Sequence, residues 1–175
     1  MKTRALLLVS TLALVATARA EKPLPLANGD FEQALTGWLN PADGAMSVAS
    51  AAAAHGGKLG LRVTDASDTL GSSLATKRLP AVAGTAYEVR FAGRVVSGAG
   101  IGVYLRFFDA KGQALNTQEK KNENILALNR GDTAWQTRAL KATAPAGTAT
   151  VEVWIHSYSK AQVTADFDDV SLIEL

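Results

Sequence analysis

The sequence predicts an all-β protein, an antiparallel β-sandwich, and three observations carry that expectation. Several segments alternate apolar and polar residues with period two, as strands with one buried face do. Gly, Pro, Asn and Asp punctuate them at intervals of about a dozen residues, the spacing of a sandwich. Helical signal is thin: "VASAAAAHGG" (48–57) has alanine propensity, but its glycine pair cuts it short.

The elements follow in order. In "KLGLRVT" (58–64), Leu59, Leu61 and Val63 alternate with Lys58, Gly60 and Arg62. In "TAYEVRFAGRVV" (85–96), Tyr87, Val89 and Phe91 are expected inward, with Glu88, Arg90, Ala92 and Arg94 outward. In "IGVYLRFFDAKG", Ile101, Val103, Leu105 and Phe107 share one face and Tyr104, Arg106 and Phe108 the other, before a turn at Asp109–Gly112. "AWQTRALKA", "TATVEVWIHSY" and "ADFDDVSLIEL" complete the set. In the second of these, Val151, Val153 and Ile155 point inward, Glu152, Trp154 and His156 outward, and Tyr158 follows. "LNTQEKKNENILALN" (115–129) reads as a long solvated connection or one short helical turn.

The first twenty residues read as a secretory leader and not as fold. Lys2 and Arg4 precede the apolar run Ala5–Ala18, and Ala18-Arg19-Ala20 is a small-x-small cleavage site. Cleavage before Glu21 leaves 155 residues, enough for one domain spanning 21–175. The expected location is extracellular or periplasmic. The leader carries three of the 18 basic residues and no acid, so the formal charge of +2 becomes −1, 15 basic residues against 16 acidic. That balance argues against a nucleic-acid partner, which needs a net basic face. No later apolar run is long enough to span a bilayer. The chain has no cysteine, which excludes disulfides, thiolate catalysis and Cys-bound zinc.

The opening "NGDFEQALTGW" (28–38), "HGGKLGLRV" (55–63), "LPAVAGTAYEVRF" (79–91), "LRFFDAKGQ" (105–113) and the closing "FDDVSLIEL" (167–175) occur in order across nearly the whole mature chain. In these pieces the sequence resembles the secreted carbohydrate-binding modules of galactose-binding-like jelly-roll type appended to xylanases and cellulases. The resemblance implies a structural calcium between the first and last strands. Carried over, its ligands are Glu32, Asp168 or Asp169, and carbonyls near Asp30 and Lys58; the competing reading makes these acids ordinary turn and edge residues. Phe31 and Trp38 are expected in the core, and Trp135 at the sandwich edge.

The resemblance also implies that sugar sits on an outer sheet face. The candidates there are Arg90, Arg94, Tyr104, Arg106, Phe108, Trp154, His156 and Tyr158. Rings cover the apolar face of a pyranose, and Arg, His, Tyr and Glu bond its hydroxyls. Three arginines that can grip a carboxylate in bidentate fashion tilt the ligand toward an acidic polysaccharide. Equally open is that these arginines pair with Glu88 and Glu152 across strands. The chain holds two histidines, no Gly-x-Ser-x-Gly, no His-Glu-x-x-His and no readable glycosidase pair. The expected function is therefore non-catalytic binding of an oligo- or polysaccharide, with a partner enzyme acting in trans. A small lyase or hydrolase using His156, Tyr104 or Tyr158 with an arginine, and an adhesive domain without a glycan site, are the rival readings.

Overall fold

The computed structural model describes residues 20–39, 43–115 and 124–175. The leader, Ala20 apart, and most of the polar stretch after Leu115 lie outside the described residues.

The strands are β1 (Lys22–Pro23), β2 (Trp38–Leu39), β3 (Ser47–Ser50), β4 (Gly60–Asp65), β5 (Leu74–Thr76), β6 (Leu79–Pro80), β7 (Ala86–Gly98), β8 (Ile101–Phe108), β9 (Ile125–Leu128), β10 (Gln136–Thr143), β11 (Thr150–Ser157) and β12 (Val163–Glu174). They form two antiparallel sheets. The first runs β10-β7-β12-β4-β3, with β1 also on β12; the second runs β2-β5-β11-β8-β9, with β6 also on β11. This is the sandwich the period-two segments predicted. The alanine run departs from a helix: it is a strand to Ser50 and then a single 3-10 turn, Ala51–Ala53, capped by the Ser50 hydroxyl. Of the polar stretch, Ile125–Leu128 is a strand on the edge of the second sheet.

The expected inward residues do fill the space between the sheets. Tyr87, Val89, Phe91, Ile101, Val103, Leu105, Phe107, Val151, Val153 and Ile155 are all buried. Tyr87 from the first sheet meets Phe107 from the second at 5.9 Å between ring centres. The Tyr87 hydroxyl accepts a hydrogen bond from the Val82 amide, so its buried polar end is satisfied.

The opening motif works as a seam. Asn28 sits at φ 50°, and its side-chain amide donates to the Ala34 and Thr36 carbonyls while its oxygen accepts from the Gln33 amide. The Asn28 carbonyl accepts from the Trp38 indole, and Trp38 stacks on buried Phe31 at 5.0 Å. Gly29 accepts the Val170 amide through its carbonyl, and a Cβ there would stand 1.9 Å from the Val170 oxygen. Only glycine lets the chain start lie this close to the last strand.

The outer faces of the sheets differ. On the first sheet, Arg62 and Arg94 both bond buried Asp166, and each also donates to the carbonyl of Ala52. The segment after β3 is thereby strapped across that face. Trp135 joins it, with Arg94 4.7 Å above its ring and His55 5.1 Å away. The second sheet pairs β11 with β8 in unbroken register from Thr150–Phe108 to Ser157–Ile101. The register shifts fall between β7 and β12, one at Val96 opposite Thr164 and Ala165 and one between Asp168 and Ser171. The inward and outward sets of β8 and β11 are therefore those that simple alternation gives.

Candidate functional site

β8 and β11 are adjacent strands whose outward residues meet in cross-strand pairs: His156 opposite Gly102, Trp154 opposite Tyr104, and Glu152 opposite Arg106. Alternation puts these side chains on the outer face of the second sheet. His156 stacks on Trp154 at 4.0 Å and 12° between planes. Tyr104 leans on both, 5.0 Å from Trp154 and 6.0 Å from His156. The Arg106 guanidinium lies 4.0 Å from the Trp154 ring centre. Because Arg106 and His156 occupy register positions on either side of Trp154, the indole is held between them and presents an edge. Its N–H donates to the Ser73 hydroxyl at 3.0 Å. The free stacking face expected of Trp154 is thus occupied by its neighbours.

The stack continues along the face. Phe108 points the same way, but Arg78 lies 3.5 Å above its ring and leaves it 4 % exposed. Arg78 Nε and Arg106 Nη2 both donate to the carboxylate of Glu152, which is 4 % exposed. Arg78 also reaches the Gly112 carbonyl. Beside this bridge opens a groove of about 470 Å³ lined by Leu39, Ser73, Ala75, Lys77, Arg78, Arg106 and Glu152.

Tyr158 follows β11, is partly exposed, and shares a side-chain hydrogen bond with Tyr104. Burial, and then this neighbour, push the Tyr104 hydroxyl well above its ordinary range, so it stays protonated. His156 is held below its usual 6.5, chiefly by burial and further by Arg106, against the pull of its bond to the Ser72 carbonyl. An Nδ1 that faces a carbonyl must carry the proton, so neutral His156 offers Nε2 as an acceptor. The loop before β5 packs close here because residue 71 is glycine: a Cβ would stand 2.1 Å from the Ser157 carbonyl.

Tyr104, Arg106, Phe108, Trp154, His156 and Tyr158 are therefore brought together. Arg90 and Arg94 are not: both lie on the outer face of the other sheet. Arg90 is bound by Glu21 and Glu88, and Arg94 by Asp166. β7 belongs to the first sheet and β8 to the second, so their outward residues point to opposite sides of the molecule. The cross-strand pairing reading holds for Arg106 with Glu152; Arg90 instead pairs with Glu88 on its own strand and with Glu21. Leu39, Ser73, Lys77 and Arg78 escaped the sequence reading. They sit on strands of two or three residues and their links, too short to show a period; the dipeptide Lys77-Arg78 before Leu-Pro was the only signal.

The acids named for calcium converge on one turn. Glu32 Oε1 accepts the Lys58 and Leu59 amides at 2.6 and 2.9 Å. These bonds hold its carboxyl below the ordinary range. Asp168 Oδ2 accepts the His55 and Gly56 amides, and Oδ1 the Asp169 amide. Burial still raises the Asp168 carboxyl above 3.8, because desolvation outweighs the amides. Asp169 pairs with the His55 ring at 2.7 Å, and an Asp30 oxygen lies 3.5 Å from the Glu32 amide. Among the described residues no group of three or more His, Cys, Asp or Glu side chains gathers as a metal site. As arranged, the Glu32 and Asp168 carboxylates accept amide hydrogens.

A two-sheet sandwich with one face closed by its own chain, and an aromatic and cationic cluster beside a groove on the other, defines the class of glycan-binding β-sandwich modules. The solved structures that resemble it are of that architecture. One is a "Family 16 Carbohydrate Binding Module-2", 20% identical, covering 84% of this chain and 97% of that one, with a TM-score of 0.62. Another is the CBM22-1 xylan-binding domain of Paenibacillus barcinonensis Xyn10C, 16% identical, covering 90% and 97%, with a TM-score of 0.63. A third is a module called TmCBM61 in complex with beta-1,4-galactotriose, 17% identical, covering 86% and 97%, with a TM-score of 0.56. No curated protein matches. A family model described as "Carbohydrate binding domain" matches residues 26–162, and the chain belongs to that family. It is a non-catalytic carbohydrate-binding protein. Among the described residues no helix is long and apolar enough to cross a membrane.

Proposed function

We propose that the outer face of the second sheet is the glycan-binding site, and that its ligand is an acidic oligo- or polysaccharide. The carrying observation is that Tyr104, Trp154, His156 and Arg106 cluster beside an open groove on the face that no described segment straps. The rings offer an apolar edge, and the hydroxyl of Tyr158, Nε2 of His156 and the guanidinium groups offer donors and acceptors to sugar hydroxyls. Cations outnumber acids along the groove, three to one. The expectation of an acidic ligand rested on Arg90, Arg94 and Arg106; of these Arg106 lies at the groove, and Lys77 and Arg78 join it there. The test is a glycan array probed with the mature protein, with Trp154→Ala as the paired control. Binding to one polysaccharide class that the variant loses supports the site. A folded protein that binds no glycan refutes it.

The calcium expected at the seam stands as a proposal with a specific requirement. The ion would take Glu32 and Asp168 oxygens from the amides they now accept, together with Asp169 and the carbonyls of Asp30 and Lys58. A melting temperature that rises with added calcium and falls with chelator supports it; a melt indifferent to both refutes it. Secretion or periplasmic delivery rests on the leader-like residues 1–20, and Glu21 as the first residue of the mature protein is its check. A glycan binder of this kind would serve an enzyme acting in trans.

A further inference from the structure

The groove beside Arg106 has a chemistry that the aromatic cluster does not explain. Its charged lining is Lys77, Arg78, Arg106 and Glu152. Glu152 is buried and gives one oxygen to each arginine. A guanidinium has five N–H donors. Glu152 takes one from each; the Gly112 carbonyl takes one more from Arg78. Arg106 Nε is buried without a hydrogen-bond partner among the described residues, so the donors Arg106 can offer outward are those of its terminal nitrogens. Both guanidiniums also lie over rings, Arg78 3.5 Å above Phe108 and Arg106 4.0 Å above Trp154. Each is therefore held by a carboxylate and a ring together, with donors left over. Lys77 is exposed on the same wall and forms no ion pair among the described residues.

Pinned guanidinium forks are the arrangement that suits a planar carboxylate. Trp154, with both faces occupied, cannot supply the ring stacking that would carry a neutral pyranose. It works as a positioning residue that holds Arg106. We propose that Lys77, Arg78 and Arg106 form a subsite for the carboxylate of a uronic-acid residue, with buried Glu152 setting the two guanidiniums. This rests on the reading of the same face as the glycan site, and it names the group that the site grips.

Calorimetric titration with oligomers of galacturonate, glucuronate and mannuronate, each beside its carboxyl-reduced neutral counterpart, tests it. One uronate is expected to bind at least ~10-fold more tightly than its reduced form, the range of one hydrogen bond to a charged group. Its binding should weaken as salt rises. Lys77→Gln and Arg78→Gln are expected to shrink that advantage, weakening binding of the uronate more than binding of the reduced oligomer. Trp154→Phe should keep most of the advantage, because a phenyl ring still backs Arg106; Trp154→Ala should lose it. Equal affinity for an oligomer and its reduced form overturns the subsite and leaves glycan binding standing. So does an advantage untouched by both Lys77→Gln and Arg78→Gln. Failure of the folded protein to bind any oligomer, charged or neutral, overturns the glycan reading itself.

Discussion

Replacing Asp166 with Asn should cost stability and leave glycan binding alone. Asp166 is fully buried on the first sheet and accepts three charge-assisted bonds: Arg62 Nε at 2.8 Å, Arg62 Nη2 at 2.9 Å and Arg94 Nε at 2.9 Å. Asn keeps the shape, loses the charge and turns an NH2 toward a guanidinium. Removing one partner of a buried pair costs about 3–5 kcal/mol. The two arginine side chains are about a quarter exposed and can recover some water contact, so the lower end, about 3 kcal/mol, is expected. For a chain of this length that is a fall in melting temperature of roughly 6–12 °C. Urea unfolding followed by tryptophan fluorescence reads it, with Trp135 reporting directly from the strapped face. Because the glycan face belongs to the other sheet, affinity for the array-selected ligand should not change. A loss under about 1 kcal/mol, the worth of an exposed pair, would refute the view that this face is a structural strap. A large loss of affinity at full folding would refute its separation from the site.

Gly29→Ala places a Cβ 1.9 Å from the Val170 oxygen; it should destabilise by about 1–3 kcal/mol or more, as overpacking against backbone does, and the same urea titration measures it. His156 gives a pH signature. Burial keeps its pKa below 6.5, so the unfolded chain takes up the proton first. The stability contributed by neutral His156 is complete above 6.5 and is lost as pH falls through the folded value. His156→Gln should flatten unfolding free energy against pH in that window, and an NMR titration midpoint at or above 6.5 would contradict the assignment.

Long strands were legible because eight or more residues show a period. The inward residues of β7 as far as Phe91, and those of β8 and β11, follow from alternation; β12 does not alternate, burying Ala165, Asp166, Phe167 and Asp168 in a row beside its register shifts. β2, β5 and β6 have two or three residues each and take their place from tertiary pairing alone, so Lys77 and Arg78 were invisible as site residues. The failure at Arg90 and Arg94 is more instructive. Period two separates inside from outside, but a sandwich has two outsides. The chain changes sheets between Gly98 and Ile101, through glycines at φ 77° and 97°. Nothing in the alternation of either strand reports that change. The orientation of Trp154 was hidden for a related reason: position along a strand names a ring's neighbours but not which of them cover its faces.

These divisions bear on why Glu152 is buried at all. A carboxylate between two arginines is weak evidence for stability, since apolar residues of similar volume often serve a fold as well or better. On the first sheet the corresponding cluster has a structural use, because Arg62 and Arg94 go on from Asp166 to hold the Ala52 carbonyl. On the second sheet, Arg78 reaches one carbonyl at long range, at 3.3 Å, and Arg106 none that the described residues show. What Glu152 does there is fix two guanidiniums, each already lying over a ring, at the edge of an open groove. Fixing a binding group before the ligand arrives removes ordering cost from binding. The arrangement makes physical sense as preorganisation for an anion, and it makes little sense as a strap.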